Sequence, residues 1–549
     1  MHDLVIRDAL LIDGTGSPPR RGDLAVTRDC ITALGAVEGE AGETIDAGGL
    51  ALMPGIIDNH THYDAQLTWD RRLSPSPALG VTTAIIGNCG FTIAPCRPAD
   101  RERVMRNLTQ VEGMSLEALR AGIRWEFESV PQYLDMLERA GSAINVAAFV
   151  GHSSVRTYVM GDAAAERAAT GAEIAQMKAI VAEGLQAGAI GFATSTSPAH
   201  NGADGLPMPS RLADEKELAA LAGTLKDAGR GVFMLTKGGH TPMPFLEKLA
   251  ADTGRPVVVA ALLHNSTNPD AVFRDLRAIA QANERRHPLV GAISCCPLSM
   301  DFTLRSPYTF EGLEAWKQAL PLKGDAYKRK LADPAFRAEV REEIARPAHF
   351  RLFNGEWDRV EVVESKRAEL EGRTVADIAA GRDALDTLLD LALAEDLDTV
   401  FKALLLNSDE QAVGRMLRDP HAMVSLSDAG AHLTFFNDAG YGLHLLGHWS
   451  RKLGVLKLEE AVWRLTGHPA KVFGIRERGA LRAGYHADLL LFDPATVNRT
   501  PNRRVFDLPA GQPRLMPGAT GVHGVWVNGE RVDKESETLP GRLLREFAP

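Results

Sequence analysis

The chain has 549 residues and a formal net charge of −10, with 61 basic against 71 acidic residues; no basic stripe is available to neutralise phosphates, which excludes nucleic acid as a main partner. That length supports one large catalytic unit plus a smaller satellite, with a core that needs no disulfide or metal to fold. Five cysteines, of which Cys295 and Cys296 are adjacent, suit a reducing compartment rather than a disulfide framework.

The opening MHDLVIRDALLIDGTG lacks the basic start and continuous apolar run of a signal peptide. No stretch approaches the roughly 18 apolar residues of a membrane span. The expectation is a cytoplasmic protein that acts on a small molecule, with no membrane partner. The first fifty or so residues carry short strand-like runs, LVIRDALLID, DLAVTRDCITALG and ETIDAGGLALMPG, separated by glycine-rich turns. The same texture returns in ADLLLFDPATV and GVHGVWVNGERV, so residues 1–51 and 472–549 are expected to build one small β-sandwich-like domain from both chain ends.

Between them, residues 52–471 alternate short apolar runs with Ala-, Leu- and Glu-rich stretches, the pattern of repeated βα units. Candidate strands are GIIDNHTH, VTTAIIGNCG, INVAAFVGHSS, AIGFATSTS, RGVFMLTKGG, PVVVAALLHNS, LVGAISCCPL and AMVSLSDAGAH. They predict a (β/α)8 TIM-like barrel whose reactive groups sit where strands end and loops begin. Residues from about 303 to 420, with no clear strand, read as a helical insertion or lid before the last strand. Such a segment suits substrate access, or equally packing and contacts between copies in a homo-oligomer.

The chemistry concentrates at the strand ends. His60 and His62 are one residue apart, so the period of two points both imidazoles the same way, into the barrel mouth, as a pair of metal ligands. An isolated His-x-His is more often a pair of surface histidines; the matching polar residues on other strands shift the balance. Asp58 is placed to orient an imidazole. Asp428, in SLSDAGAH at the last strand, can bind a metal and serve as general base, against the alternative of a helix N-cap. No GxSxG elbow, Walker loop or GxGxxG is present, so serine hydrolase and nucleotide-binding readings find no support.

PGIIDNHTH, GNCGFTIAP, FVGHSSVR, GAIGF, SDAGAH and RGALRAGYHADLLLFDP together resemble the N-acyl-D-amino-acid deacylase (D-aminoacylase) branch of the amidohydrolase superfamily, over nearly the whole chain. The resemblance implies a distorted barrel, one or two zinc ions and hydrolysis of an N-acyl amide by metal-activated water, with Asp428 as general acid/base. It further implies that Cys89 of GNCG and His264 of ALLHNS are metal ligands. A thiolate there is sensible chemistry for zinc; Cys30, Cys295 and Cys296 read as small buried hydrophobes.

The sequence departs from the family at Lys237, which stands in GVFMLTKGGH where a Thr-His pair is expected. Three readings remain open: a carbamylated Lys237 acting as metal ligand, an ammonium that binds substrate beside a single metal, or His240 as the replacement ligand. A protonated lysine has donors and no acceptor, so it cannot itself bind zinc. The loop after Asp428 has no arginine until Arg451; His152, Arg156 and Arg305 are the candidates for substrate binding, and Phe435, Phe436 and Tyr441 suggest an aromatic wall. Two other functions stay in view: a cyclic-amide, dihydropyrimidinase-like hydrolase with carbamylated Lys237, and a non-catalytic scaffold barrel.

Overall fold

Strands buried on both faces must be apolar nearly throughout, and a computed structural model, which describes residues 1–346, 351–532 and 538–548, shows how those runs are used. The terminal strands are β1 (His2–Leu11), β2 (Arg20–Thr27), β3 (Cys30–Gly35), β4 (Ala41–Asp46) and β5 (Ala51–Pro54). Then follow β6 (Ile56–Asp58), β7 (Val81–Ile86), β8 (Asn145–Gly151), β9 (Gly191–Ser195), β10 (Val232–Thr236), β11 (Val257–Leu262) and β12 (Leu289–Ile293). An insertion holds β13 (Leu298–Phe302), β14 (Val360–Glu364) and β15 (Val400–Leu406), before β16 (Ala422–Val424) and β17 (Leu489–Phe492).

Strands β6 to β12 and β16 form one eight-stranded parallel sheet in the order β16-β12-β11-β10-β9-β8-β7-β6. Every residue of β7 and β8 is buried. The first and last strands meet at their C-terminal ends: Asn59 Nδ2 donates to Val424 O at 2.9 Å, the Asp428 N–H to His60 O at 3.2 Å and the His62 N–H to Ala429 O at 2.7 Å. These bonds close a TIM-like barrel at the mouth and hold the loops of His60, His62 and Asp428 against one another. Helices return the chain between strands and are stopped and started by local chemistry. Gly171–Gln186, for example, begins with a capping box in which the Thr170 hydroxyl accepts from the Glu173 N–H and the Glu173 carboxylate accepts from the Thr170 N–H.

Both chain ends share a second sheet, also of eight strands, ordered Glu530–Arg531, Val522–Val527, β17, β5, β1, β2, β3, with β4 on the side of β1. Leu4, Ile6, Leu24, Val26 and Leu52 from one end pack with Leu489, Leu491 and Trp526 from the other. No helix among the described residues is long and apolar enough to cross a membrane.

The insertion is not purely helical. β13, β15 and β14 form an antiparallel sheet over helices that include Gly324–Ala332, Pro334–Ala345 and Ala384–Ala394, and Phe310, Trp316, Phe336 and Phe401 make a core of its own. The leucine-rich stretch from 384 onward continues in sequence as though helical. The chain instead reverses at Asp396 and Leu397, with φ of 63° and 66°, so VFKALLL becomes a strand. Of the stretch REEIARPAHF, residues 347–350 lie outside the described residues.

Candidate metal centre at the barrel mouth

Beyond β6 the chain stays extended enough for His60 and His62 to project together, their ring centroids 5.3 Å apart. Cys89 arrives from the end of β7 through a tight turn: Gly87, Cys89 and Gly90 all take positive φ, at 82°, 57° and 77°. A Cβ on Gly90 would stand 2.5 Å from Ala193 O, so only glycine lets this turn press against β9. The His60, His62 and Cys89 donor atoms lie within 4.8 Å of one another, and all three residues are buried. Asp428, itself at φ 47°, brings Oδ1 to 3.2 Å from His60 Nε2 and 3.6 Å from His62 Nε2. Its side chain is 21% exposed against 3% for either histidine, so solvent reaches the carboxylate first.

Electrostatics divide the groups. Burial pushes the His60 imidazole down to about 4. Burial is the largest single influence on His62 and disfavours its charged form, but Glu112, Asp428 and Cys89 together outweigh it and raise that ring. Burial acts against ionised Asp428, yet the neighbouring imidazoles, His62 foremost, hold it well below the usual carboxylate range. Asp428 is therefore an ionised, accessible proton acceptor at neutral pH. Burial raises the Cys89 thiol.

The remaining candidates lie outside the three-atom cluster. Asp58 does not orient an imidazole: its Oδ1 accepts from the His60 backbone N–H at 3.5 Å. Lys237 is not brought to the cluster. Strand alternation gives the inward place on β10 to Thr236, whose Oγ1 is 3.2 Å from Cys89 Sγ, and turns Lys237 outward, where Nζ donates to Asp275 Oδ2 at 2.5 Å. His264 does not join the three-atom cluster; it is buried just past β11, its N–H donating to Asn407 Oδ1 at 2.7 Å and its carbonyl accepting from the Asn407 N–H at 2.9 Å, with Nδ1 lacking a hydrogen-bond partner.

His152 and Arg156 lie in the wall rather than the site. His152 Nδ1 pairs with Thr194 Oγ1 at 2.7 Å and Nε2 with Glu217 Oε1 at 2.8 Å, while Arg156 pairs with the same Glu217; both are fully buried. Arg305 is half exposed and paired with Asp396 and Asp398 of the insertion. Tyr441 is core, its hydroxyl donating to Ile57 O at 3.3 Å, and Phe436 is buried.

Three residues missed in the sequence stand at the site. Glu112, the last residue of helix Arg101–Glu112, places Oε1 3.2 Å from His62 Nδ1, and Oε2 3.7 Å from His432 Nε2. His432 packs against Phe435 at 5.4 Å between centroids. Thr236 is the third. Gly113 follows Glu112 with φ 58°, and a Cβ there would strike Phe435 at 2.5 Å. Beyond Gly113 and Phe435 opens a cavity of about 640 Å³ lined by Met300, Asp301, Tyr308 and Arg504 among others.

Comparisons with known proteins place the chain in a family. The model of the amidohydrolase family matches residues 43–294 and 342–533. A D-aminoacylase of Alcaligenes xylosoxydans xylosoxydans is 31% identical, covering 100% of this chain and 98% of that protein. An N-acyl-D-aspartate deacylase of the same organism is 29% identical over 99% of this chain and 95% of its own length. Among solved structures, N-acyl-D-glutamate deacylase from Bordetella bronchiseptica, complexed with zinc and a phosphonate inhibitor, superposes with a TM-score of 0.68 at 27% identity, covering 99% of this chain and 100% of that one.

Proposed function

This chain belongs to the amidohydrolase family, and from that premise we propose that it hydrolyses the amide bond of an N-acyl-D-amino acid at a zinc site formed by His60, His62, Cys89 and Asp428. One observation carries the reading: Asp428 Oδ1 stands 3.2 and 3.6 Å from the two imidazoles beside a buried thiol. Two imidazoles, a thiolate and a carboxylate on converging loops are a donor set that suits zinc. The relatives named for D-aminoacylase and for N-acyl-D-aspartate deacylation support the substrate class.

When bound, the metal supplies Lewis acidity that eases deprotonation of water and polarises the scissile carbonyl. Asp428 accepts the proton as the water oxygen adds to the acyl carbon, then delivers it to the amine nitrogen as the C–N bond breaks. Glu112 stands beside His62 Nδ1 as its charged partner, and Thr236 holds the Cys89 sulfur. The cavity beyond Gly113 and Phe435 is suited to the acyl chain or amino-acid side chain. Outward-turned Lys237 in its ion pair gives the carbamylated cyclic-amide reading no support.

Free amine released from matched N-acetyl-D- and N-acetyl-L-amino acids by the zinc-loaded protein tests the proposal. The expected result is turnover of one or more D-substrates with the L-forms at least about tenfold slower, a difference of about 1.4 kcal/mol in barrier. Turnover of a cyclic ureide with none of any N-acyl amino acid would overturn it.

A further inference from the structure

Far from the barrel mouth, a second set of ligand-type side chains converges where the two chain ends meet. Cys30, at the start of β3, and His486 face each other across an isolated antiparallel bridge. Their loops are locked by backbone hydrogen bonds from Ile31 N to Tyr485 O, Gly484 N to Ile31 O and Ala487 N to Asp29 O, each 2.8 Å. The Asp29 carboxylate, Cys30 Sγ and a ring nitrogen of His486 lie within 4.8 Å of one another. His486 Nδ1 is a buried atom without a hydrogen-bond partner, 3.5 Å from Asp29 Oδ2. The Cys30 thiol spends its proton on Asp29 Oδ1 at 3.4 Å.

We propose that Asp29, Cys30 and His486 form a second metal site, for a divalent ion of borderline softness such as zinc or cobalt, which clamps the N-terminal strands to the C-terminal ones. A thiolate, an imidazole and a carboxylate are the donors such an ion prefers, and three protein ligands leave a position for water. Binding releases the Cys30 proton to solvent, and the ion takes over the Oδ1 lone pair that the S–H uses. Arg542, whose Nη2 is 2.8 Å from Asp29 Oδ2, stays in place and orients the carboxylate from behind. Its positive charge lowers affinity for a cation, and the nearby Glu477 opposes it; Arg478 is already neutralised by Asp488. The preformed backbone distinguishes the site from a chance surface cluster: neither loop must move to bring the donors together.

Cobalt(II) titration of the full chain tests this, because thiolate-to-cobalt charge transfer reports a sulfur ligand directly. Cys89→Ser removes the sulfur of the barrel site, so a thiolate-to-cobalt band that saturates at one equivalent in C89S and vanishes in the Cys30→Ser/Cys89→Ser double variant is the expected result. Cys30→Ser alone should leave amide hydrolysis within twofold of the unsubstituted chain. In the otherwise unsubstituted chain, His486→Ala should weaken one class of cobalt binding at least tenfold while the Cys89 band persists, a readout that stands even where Cys89→Ser fails to fold. No thiolate band from folded C89S at saturating cobalt, a band that survives in the double variant, or cobalt binding unchanged by His486→Ala would overturn the proposal.

Discussion

Glu112 Oε1 lies 3.2 Å from His62 Nδ1, while the opposite ring nitrogen of His62 faces Asp428 Oδ1 at 3.6 Å, so one imidazole is held between two carboxylates. The outer carboxylate favours the charged ring and, as a partner beside a ligand imidazole, raises its basicity. Glu112→Gln should therefore weaken metal retention by about 10–100-fold, the usual consequence of losing such a partner. Zinc competition with a chelator measures it. Unchanged affinity would mean that Glu112 serves only to pack the loop of His432.

Lys237 Nζ stands in a partly exposed ion pair with Asp275, and pairs that solvent reaches contribute about 0–1 kcal/mol. Lys237→Met should keep the zinc content of the unsubstituted chain and its activity within about threefold, with stability changed by less than ~1 kcal/mol. Loss of metal in that variant would restore the lysine to the cluster.

The wall network of His152, Arg156 and Glu217 predicts a different response. Glu217 neutralises a fully buried arginine, and removing one partner of a buried pair costs about 3–5 kcal/mol. Arg156→Met should lower the thermal midpoint strongly and leave KM of the folded fraction unchanged. A raised KM at undiminished stability would return Arg156 to the substrate.

His468 stacks on Trp463 with centroids 4.5 Å apart, and burial, aided by Arg464 and Lys471, pushes its imidazole down to about 4 from 6.5. The unfolded chain then binds the proton more readily than the native one between those values. The contribution is fully present above pH 6.5 and is lost as pH falls toward 4, reaching about 2 kcal/mol at pH 5. His468→Phe should lose less stability than the unsubstituted chain between pH 7 and pH 5, by about that amount, in denaturant titrations at the two values. Equal losses would exclude His468 as an acid-sensitive group.

What the sequence revealed followed local periodicity. The one-residue spacing of His60 and His62 gives them a common direction where the chain is extended, and the short apolar runs of β7 and β8, bounded by glycine, read as buried strands. What it concealed depended on tertiary contacts. Glu112 is one acidic residue among many at helix ends, and only the path of helix Arg101–Glu112 over the mouth brings it to His62. His152 follows a strand in sequence but opens helix His152–Met160, which carries it into the wall. Lys237 drew attention as a motif departure, although the alternation that pairs Thr236 with Cys89 already sends its neighbour outward. The strands of the insertion were hidden because a leucine-rich helix runs into them with only Asp396 and Leu397 marking the break.

Metal-dependent hydrolysis through Asp428 is the centre of the proposed mechanism. The direct measurement is zinc content beside cleavage of an N-acetyl-D-amino acid that the unsubstituted chain turns over, in metal-stripped and zinc-reloaded protein, for that chain and Asp428→Asn. Both should bind zinc, the unsubstituted chain should regain hydrolysis only with zinc, and Asp428→Asn should remain at least about 10²-fold slower, the low end for losing a general acid/base. Hydrolysis by the stripped protein, or by Asp428→Asn at the unsubstituted rate, would contradict it.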